Sequence, residues 1–187
     1  CEIAPIYNEE MKIADIPTVF HEIETNGIGY LDLMFDLSDV PEKDLPMVGL
    51  LQAVLGIIDT EHYEYGELFN EINRHTGGIG TSLELYPDVT KVKEKEFRAT
   101  FEIKAKALYG QIPFAIRMMK EILTASKLDD EKRLKEILSM TKTRLQDRFL
   151  SAGHSAAALR AMSYKSPISK FKDATNGIEY YQNIREM

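Results

Sequence analysis

The feature that most constrains the fold is a twelve-residue run, from Phe97 to Leu108, in which apolar and polar side chains alternate. Its inward-facing positions are Phe97, Ala99, Phe101, Ile103 and Ala105, with mostly charged residues between them. A period of two residues is the pattern of a β-strand with one buried face. Because a lone strand leaves its backbone hydrogen-bonding groups unpaired, this run predicts a sheet.

Other stretches show the same period. Residues 79–86 alternate with Leu83 and Leu85 facing inward, and a polar connection over residues 87–96 separates them from the twelve-residue run. Nearer the start, residues 19–24 and 28–36 alternate on both sides of Asn26-Gly27. Since Asn-Gly favours two-residue hairpin turns, we predict a β-hairpin over residues 18–36.

Helical spacing fills the gap between the two strand pairs. A first helix begins after Pro41, and we expect a buried face formed by Leu50, Leu51, Val54, Leu55 and Ile58. A second helix is predicted over residues 65–75, where Gly77-Gly78 supplies a left-handed stop. Its expected apolar stripe is Leu68, Phe69 and Ile72.

The last third is predominantly helical. We predict helices over residues 113–126 and 130–150, and the second has a core stripe of Leu134, Ile137, Leu138, Leu145 and Phe149. The small residues of 155–161 continue as helix toward Tyr164, and Ser166-Pro167 then breaks it. A short final helix is expected over residues 179–184.

This order of elements predicts an α+β fold, a mostly antiparallel sheet with helices packed on one face. With 187 residues, 44% of them hydrophobic, the chain suits one domain. Residues 1–17, around Pro5 and Pro17, lack a sustained period and are interpreted as a connecting arm, which leaves residues 18–187 as the domain. Since the first residue is Cys1 and not Met, we expect the chain to have been cut from a longer one.

Composition limits the partners. A formal net charge of −7 disfavours nucleic acid, and the best apolar run, residues 47–58, is shorter than a membrane span. The chain has a single cysteine, Cys1, and therefore no internal disulfide, and no secretory signal opens it. We therefore expect no membrane partner and a reducing compartment, the cytoplasm.

The residues that could bind metal are scattered. None of the four histidines, His21, His62, His75 and His154, stands in the spacing that places ligands on one helical face. The densest cluster is Glu61-His62-Tyr63-Glu64, in a turn with no evident third partner nearby. A metal site there is the minor interpretation, and a solvated turn is the favoured one.

Two further motifs have simpler structural interpretations. Thr76-Gly77-Gly78-Ile79-Gly80 follows a helix and precedes a strand, the reverse of the order in a phosphate loop, so it is interpreted as a helix stop. Ser151 and Ser155 lie close to His154, but adjacent helical side chains point apart, which disfavours a catalytic triad.

Two side-chain clusters are also assigned structural roles. Lysines alternate with acidic residues over 91–96 and favour a solvated edge, whose members are Lys91, Lys93, Glu94, Lys95 and Glu96. Tyr180-Tyr181 beside Ile178 is interpreted as an aromatic clamp that holds the last helix to the core.

Several stretches, taken in order, resemble the pitrilysin-type zinc metallopeptidases, and in particular their presequence-protease branch. They are residues 25–36, residues 65–68, Thr76-Gly77-Gly78-Ile79, residues 153–161, Ser166-Pro167 and residues 177–181. Together they span most of the chain.

The resemblance implies four related domains in two bowl-like halves that enclose a peptide, with catalysis confined to the first domain. There, His-x-x-Glu-His and a downstream glutamate hold zinc and supply the general base. The equivalent helix here reads Val48-Gly49-Leu50-Leu51-Gln52, which cannot perform those roles. The family's transition-state-stabilising arginine and tyrosine belong to its last domain. The resemblance therefore transfers no catalytic, cofactor-binding or metal-ligating residue to this chain.

What the resemblance implies is a non-catalytic third domain of a parent zinc metalloendopeptidase, with a metallohydrolase-like fold and a sheet that faces the enclosed peptide. The expected partners are the sister domains and the peptide, and zinc belongs to the parent's catalytic domain. An acidic inner wall would suit basic peptides, and an uncharged or basic sheet face would contradict that idea. The isolated chain is expected to self-associate through apolar surface. An organelle matrix is an alternative compartment.

Two other hypotheses remain open. The chain could be an independent peptide- or protein-binding module that pairs through an exposed edge strand, Phe97 to Leu108. It could also be a stand-alone hydrolase that uses His62 or His154, the least favoured of the three interpretations.

Overall fold

The computed structural model describes residues 7–87 and 97–187, which form an α+β structure. Its strands are β1 (Asn8–Ile13), β2 (Ile16–His21), β3 (Ile28–Asp36), β4 (Ile79–Pro87) and β5 (Phe97–Leu108). Its helices are α1 (Leu45–Val54), α2 (Tyr65–His75), α3 (Ile112–Thr124), α4 (Glu131–Ser163), α5 (Pro167–Asn176) and α6 (Ile178–Arg185). Short 3-10 turns, Glu42–Asp44 and Tyr109–Gln111, lead into α1 and α3. The predicted fold class is confirmed.

Strand β5 is the centre of a three-stranded antiparallel sheet in the order β3-β5-β4. Its register pairs Phe101 with Phe35 of β3 and with Leu83 of β4. The alternation seen in the sequence is present, since Ala99, Phe101, Ile103 and Ala105 are all buried. Paired residues of adjacent strands share a face, so the helices pack on the face that these odd-numbered residues form.

The core divides into contiguous apolar clusters. One joins α2 and α3 to the end of β5, with members Leu68, Ile72, Ile103, Ala105, Ala107, Ala115, Met118, Met119 and Ile122. A second lies where α1 and α5 meet the other end of β5, around Leu45, Ala99, Phe171 and Ala174. Two more fix α4, one through Ile137 against the end of α1 and one through Leu145 against α6.

The predicted hairpin over residues 18–36 is wrong. The turn itself exists, with φ of 51° at Asn26 and 82° at Gly27. However, β3 pairs with β5, and β2 pairs with β1. The physical reason is burial, because the buried Ala105 and Phe101 complement Leu31 and Phe35 across β3 and β5, whereas β2 has no buried residue to offer.

The segment interpreted as an arm contains a β-hairpin of its own. Strands β1 and β2 pair from Asn8 with His21 to Ile13 with Ile16, around a turn in which Ala14 and Asp15 have positive φ. Its apolar residues are exposed, and Ala-Asp is not a typical left-handed turn, so no local signal announced it. Residues 1–6 lie outside the described residues. That residues 1–17 connect domains stays a prediction.

The helix predictions hold in their main features. α2 has the predicted bounds, and α4 continues through the small-residue segment, with a bend at Ala152. Phe69 and Leu51, however, are 61% and 37% exposed, so these two core assignments are wrong. Helix α5 was not predicted, since Pro167 begins a new helix there and does not lead into a loop.

None of the helices in the described part of the chain combines the length and hydropathy that crossing a membrane requires.

Candidate functional site

The face of the sheet opposite the helices carries an ionised cluster. The even-numbered residues of β3, β4 and β5 lie on this face because each pairs with another even-numbered residue across the sheet. Asp32, Glu84, Tyr86, Glu102 and Lys104 come together at its centre, and we call them the sheet-face cluster. Three strands position it, so the cluster depends on the sheet register and not on one local motif.

Lys104 holds the carboxylates of the sheet-face cluster together. Its Nζ lies 2.8 Å from Glu102 Oε2, 3.2 Å from Glu84 Oε1 and 3.8 Å from Asp32 Oδ2. The Tyr86 hydroxyl donates to Glu102 Oε1 at 2.7 Å, and the Thr100 hydroxyl donates to the same oxygen at 2.6 Å. Glu102 is fully buried, in contrast to the partly exposed Asp32, Glu84 and Lys104. Its charge is therefore stabilised from three directions.

This arrangement shifts the pKa values of its members in opposite directions. Burial, together with the neighbouring charge of Glu102, raises the pKa of Asp32 to about 6. Burial alone would raise the pKa of Glu102, but hydrogen bonds from Lys104, Thr100 and Tyr86 lower it. Donation to Glu102 raises the pKa of Tyr86 to about 12. Near neutral pH the cluster therefore has three carboxylates against one lysine.

The whole face is charged, with a small acidic excess. Among the described strands β3 to β5 it carries four carboxylates and three cations, namely Asp32, Asp36, Glu84, Glu102, Arg98, Lys104 and Lys106. Tyr30 and Met34, 67% and 52% exposed, add apolar surface to the same face. Such a surface can bind a polypeptide through charge and apolar contact.

A second ionic group, which we call the helix-anchoring network, fastens α4, α5 and α6 together. The Arg160 Nη1 lies 2.6 Å from Asp173 Oδ2 and 2.8 Å from Glu179 Oε2. Lys170 Nζ lies 2.7 Å from Glu179 Oε2, and Asp173 Oδ1 accepts a hydrogen bond from the amide of Ile178 at 2.9 Å. Asp173 is fully buried. The network therefore fixes the angle between the last helices.

The electrostatics agree with this geometry. Its hydrogen bond to Asp173 raises the pKa of Arg160, and a hydrogen bond to Glu179 raises the pKa of Lys170. Burial would raise the pKa of Glu179, but its bonds to Lys170 and Arg160 lower it. Every shift favours the charged form, which is typical of paired ions in a structural role.

Helix α1, the one aligned by resemblance with a zinc-binding helix, is packed through its backbone. A Cβ built on Gly49 would lie 2.3 Å from the Thr175 carbonyl oxygen and 3.0 Å from Tyr180 Cε2. Glycine is therefore required where α1 crosses the α5–α6 junction. At this point the helix makes a structural contact.

The four histidines lie apart in separate environments. His21 Nδ1 lies 2.6 Å from Asn8 Oδ1 in the β1–β2 hairpin, and His75 packs on Phe114 with ring centroids 4.7 Å apart. His154 is exposed on α4. His62 Nδ1 lies 3.1 Å from Glu121 Oε2 of α3, so its acidic partner comes from another helix and not from its own turn.

The remaining sequence motifs take structural places. Ser151 Oγ donates to the Arg148 carbonyl at 3.2 Å and does not contact His154. Gly78 has φ of 122° after α2 ends at Thr76, which agrees with a helix stop. The clamp prediction is confirmed, because Tyr180 is buried and the Tyr181 ring meets Phe149 edge-on at 5.6 Å. The lysine-rich run of residues 91–96 lies outside the described residues.

Within residues 7–87 and 97–187, no three histidine, cysteine, aspartate or glutamate side chains are grouped so as to hold a metal ion. The prediction that the chain supplies no catalytic or metal-ligating residue stays a prediction.

The sheet-face cluster was not found from the sequence. The charges of β5 at every second position were visible, but Asp32 and Glu84 lie far away in the chain and reach Lys104 only through the register of β3 and β4. A correct strand pairing was the missing information.

A domain whose ordered ion pairs serve packing, with a charged sheet face, defines a class: a domain built to present a surface. A family model for the peptidase-associated region of metallopeptidase family 16, subfamily C, matches residues 2–187. The chain therefore belongs to this peptidase-associated family, within the pitrilysin-type peptidases and near the presequence proteases.

Three relatives illustrate the match. Protein HypA of Clostridium perfringens (strain 13 / Type A) is 35% identical over 180 residues, which cover 96% of this chain and 18% of that protein. Presequence protease 1, chloroplastic/mitochondrial, of Arabidopsis thaliana is 25% identical, covering 94% of this chain and 16% of that protein. The mitochondrial presequence protease of Drosophila melanogaster is 25% identical, covering 90% and 16%. The chain thus spans less than a fifth of the length of these curated relatives.

The residues that carried the resemblance are largely the structural ones. Arg160 and Glu179 belong to the helix-anchoring network, Ser166 caps α5 by accepting from the Ser169 amide at 3.4 Å, and Tyr180 is buried. The likeness to the family is therefore a likeness in how the helices are fixed.

Proposed function

We propose that this chain is a non-catalytic domain of a larger zinc-dependent peptidase and forms part of the wall that encloses a peptide. The observation that carries the proposal is the family match over residues 2–187 by a chain that covers only 16–18% of its relatives. Zinc would then be held by another domain of the same parent.

The packing of α1 supports the non-catalytic part of the proposal. A zinc-binding helix of the His-x-x-Glu-His type needs ligand side chains that project into an open site. Here Gly49 brings the helix backbone against Thr175 and Tyr180, and Val54 is buried. This helix provides packing where a catalytic domain would need ligands.

The sheet face supports the wall role. It combines the sheet-face cluster with exposed Tyr30 and Met34, and its ionised groups number four acids and three bases. The condition set by the acidic-wall idea, a face that is neither uncharged nor basic, is met. In this proposal basic peptides contact Asp32 and Glu84, whose carboxylates are partly exposed.

The experiment compares the 187-residue chain alone with the same chain mixed with the catalytic half of its parent. Zinc content by elemental analysis and hydrolysis of a quenched fluorescent peptide are the two measurements. We expect no hydrolysis and no stoichiometric zinc for the chain alone, with hydrolysis gained on mixing. Stoichiometric zinc with hydrolysis by the chain alone would refute the proposal.

A binding module that uses a sheet edge is the second candidate, in corrected form. Strand β5 cannot be that edge, because it is the central strand between β3 and β4. In the described part of the chain the outer strands are β3 and β4, so an added strand would have to join one of those. Binding of peptide without any other domain would favour this candidate.

The compartment follows the parent. Two of the relatives are named for mitochondria or chloroplasts and one is bacterial, so we propose an organelle matrix or a bacterial interior according to the source of the chain.

A further inference from the structure

A cleft of about 550 Å³ lies beside β4, and we call it the β4 cleft. Residues 82–85 form one wall, and the opposite wall comes from α4 near Ala152 and from the end of α5. This volume is within the range of about 300–1,000 Å³ that ligand sites occupy. Four consecutive residues line it, which means that the edge of the strand and not one of its faces borders the cleft.

The backbone of β4 has free hydrogen-bonding groups at this edge. The Gly77 amide donates to the Lys106 carbonyl at 2.8 Å, which shows that the even-numbered residues of β5 direct their backbones toward β4. Antiparallel pairs alternate, so Ser82 and Glu84 are hydrogen-bonded to β5, and Leu83 and Leu85 direct their amides and carbonyls outward. Within the described chain no backbone group bonds to them.

The bend in α4 makes room for a ligand. Ala152 departs from helical geometry with φ of −137° and ψ of 39°. The cleft side of the helix there presents the small residues Ala152, Ser155 and Ala156. A smooth wall of small side chains opposite a free strand edge leaves a slot that an extended chain can enter.

Two cations line the slot without an acidic partner among the described residues. Arg148 donates to Asn176 Oδ1 at 3.1 Å and to the Asn176 carbonyl, both of which are neutral acceptors. Lys172 lies on the exposed side of α5 with no ion pair within the described part of the chain. Burial and the nearby charge of Arg144 lower the pKa of Arg148, so the local potential is positive.

We propose that the β4 cleft binds an extended peptide segment that carries an acidic side chain. The segment adds a strand to β4 through the free backbone groups of Leu83 and Leu85, and its carboxylate lies between Arg148 and Lys172. Main-chain hydrogen bonds supply affinity, and the two cations select for negative charge. This inference is independent of the zinc-peptidase proposal, because it concerns binding by the chain alone.

The test is a titration of the ¹⁵N-labelled 187-residue chain with a synthetic peptide, followed by NMR. The probe is an acetylated, amidated hexapeptide of alternating threonine and valine with one central aspartate. We expect the largest amide shifts at residues 82–85 and around Ala152. A matched peptide with asparagine in place of aspartate should bind about threefold more weakly, as expected for a solvent-accessible ion pair.

Protein variants identify the cation. Lys172→Gln should weaken the aspartate peptide by about the same factor and leave the asparagine peptide unchanged. Lys132→Gln, which removes the same charge from an exposed position of α4 outside the cleft, should change neither affinity. A peptide N-methylated at the amides that face β4 should lose about tenfold in affinity, because it cannot donate to the strand.

Three results would overturn the inference. The first is an absence of amide shifts at about 1 mM peptide. The second is a set of shifts centred on the β3 edge, residues 28–36. The third is equal loss with Lys172→Gln and Lys132→Gln while the spectra show that both variants are folded.

Discussion

At the scale of single residues, the described polar groups fall into two kinds. The helix-anchoring network pairs its charges so that each ionised form is favoured, with Asp173 buried and contacted by Arg160. The sheet-face cluster instead places three carboxylates around Lys104, which leaves Asp32 at a cost. The first kind stabilises the fold, and the second preserves a charged surface at some expense in stability. Substitutions at Asp173 and Asp32 should therefore have opposite effects.

Asp173→Ala should lower the free energy of unfolding by about 3 kcal/mol, because it leaves the partly buried Arg160 without its closest partner. The amide of Ile178 also loses its acceptor. Chemical denaturation measures the change. Asp129→Ala, at an exposed position before α4, is the control and should have little effect. Equal stabilities for the two variants would contradict a structural role for the network.

Asp32→Asn should stabilise the protein near neutral pH. The pKa of Asp32 in the folded state is raised from 3.8 to about 6, so ionisation of this group opposes folding once the pH rises through that interval. Because the side chain is 38% exposed and screened, we expect a gain of about 1 kcal/mol at about pH 7.5. The gain should vanish near pH 4, where Asp32 is largely protonated in the folded state. Denaturation curves at both pH values test this, and a loss of stability at the higher pH would contradict it.

At the scale of elements, the periodic segments were predictable and their partners were not. The bounds of β5 and α2 follow from strict periods and clear stops, so local sequence suffices there. The pairing of β3 depends on which strand offers buried residues, and Asn26-Gly27 gave a local turn signal that tertiary packing overrode. Helix α5 was missed because Pro167 can either end or begin a helix. The sheet-face cluster inherits these errors, since it needs both pairings of β5.

Gly49→Ala should destabilise the junction between α1 and the last helices. The new Cβ would meet the Thr175 carbonyl oxygen at 2.3 Å, so one backbone must move, and we expect a loss of about 2 kcal/mol. Gly66→Ala in α2 is the matched control, because nothing lies within 4 Å of its Cβ. That variant should gain about 0.5 kcal/mol from helix propensity. Thermal unfolding of both variants measures the contrast, and a gain for Gly49→Ala would show that the contact is loose.

At the scale of the whole molecule, the β1–β2 hairpin stands apart from the rest. Ile13 and Ile16 pair at its tip and are 59% and 60% exposed, and Phe20 is 48% exposed. A two-stranded hairpin is marginally stable without a surface to pack on. In a larger peptidase that surface would belong to another domain, in agreement with a chain that covers 16–18% of its relatives.

The isolated chain should therefore self-associate through this hairpin. We expect the weight-average mass in sedimentation equilibrium to rise with concentration, because exposed apolar surface becomes buried between copies. Replacing Ile13 and Ile16 by threonine, which preserves strand propensity, should reduce the association. Leu150→Gln, at an 86% exposed position of α4, removes apolar surface elsewhere and should change it less. Monomeric behaviour of the unaltered chain at high concentration would contradict this prediction.

The register of β3 also determines when the sheet can be completed. Ile28 pairs with Leu108 and Asp36 with Thr100, so β3 must wait for a strand that is made 64 to 80 residues later. Pairs so distant in sequence form slowly, because a long loop must close before any contact rewards it. During synthesis, Leu33, Met34 and Phe35 stay without a partner strand until β5 has emerged. The nascent chain therefore passes through an interval in which β3 is open to misassembly, and chaperones would act on it then.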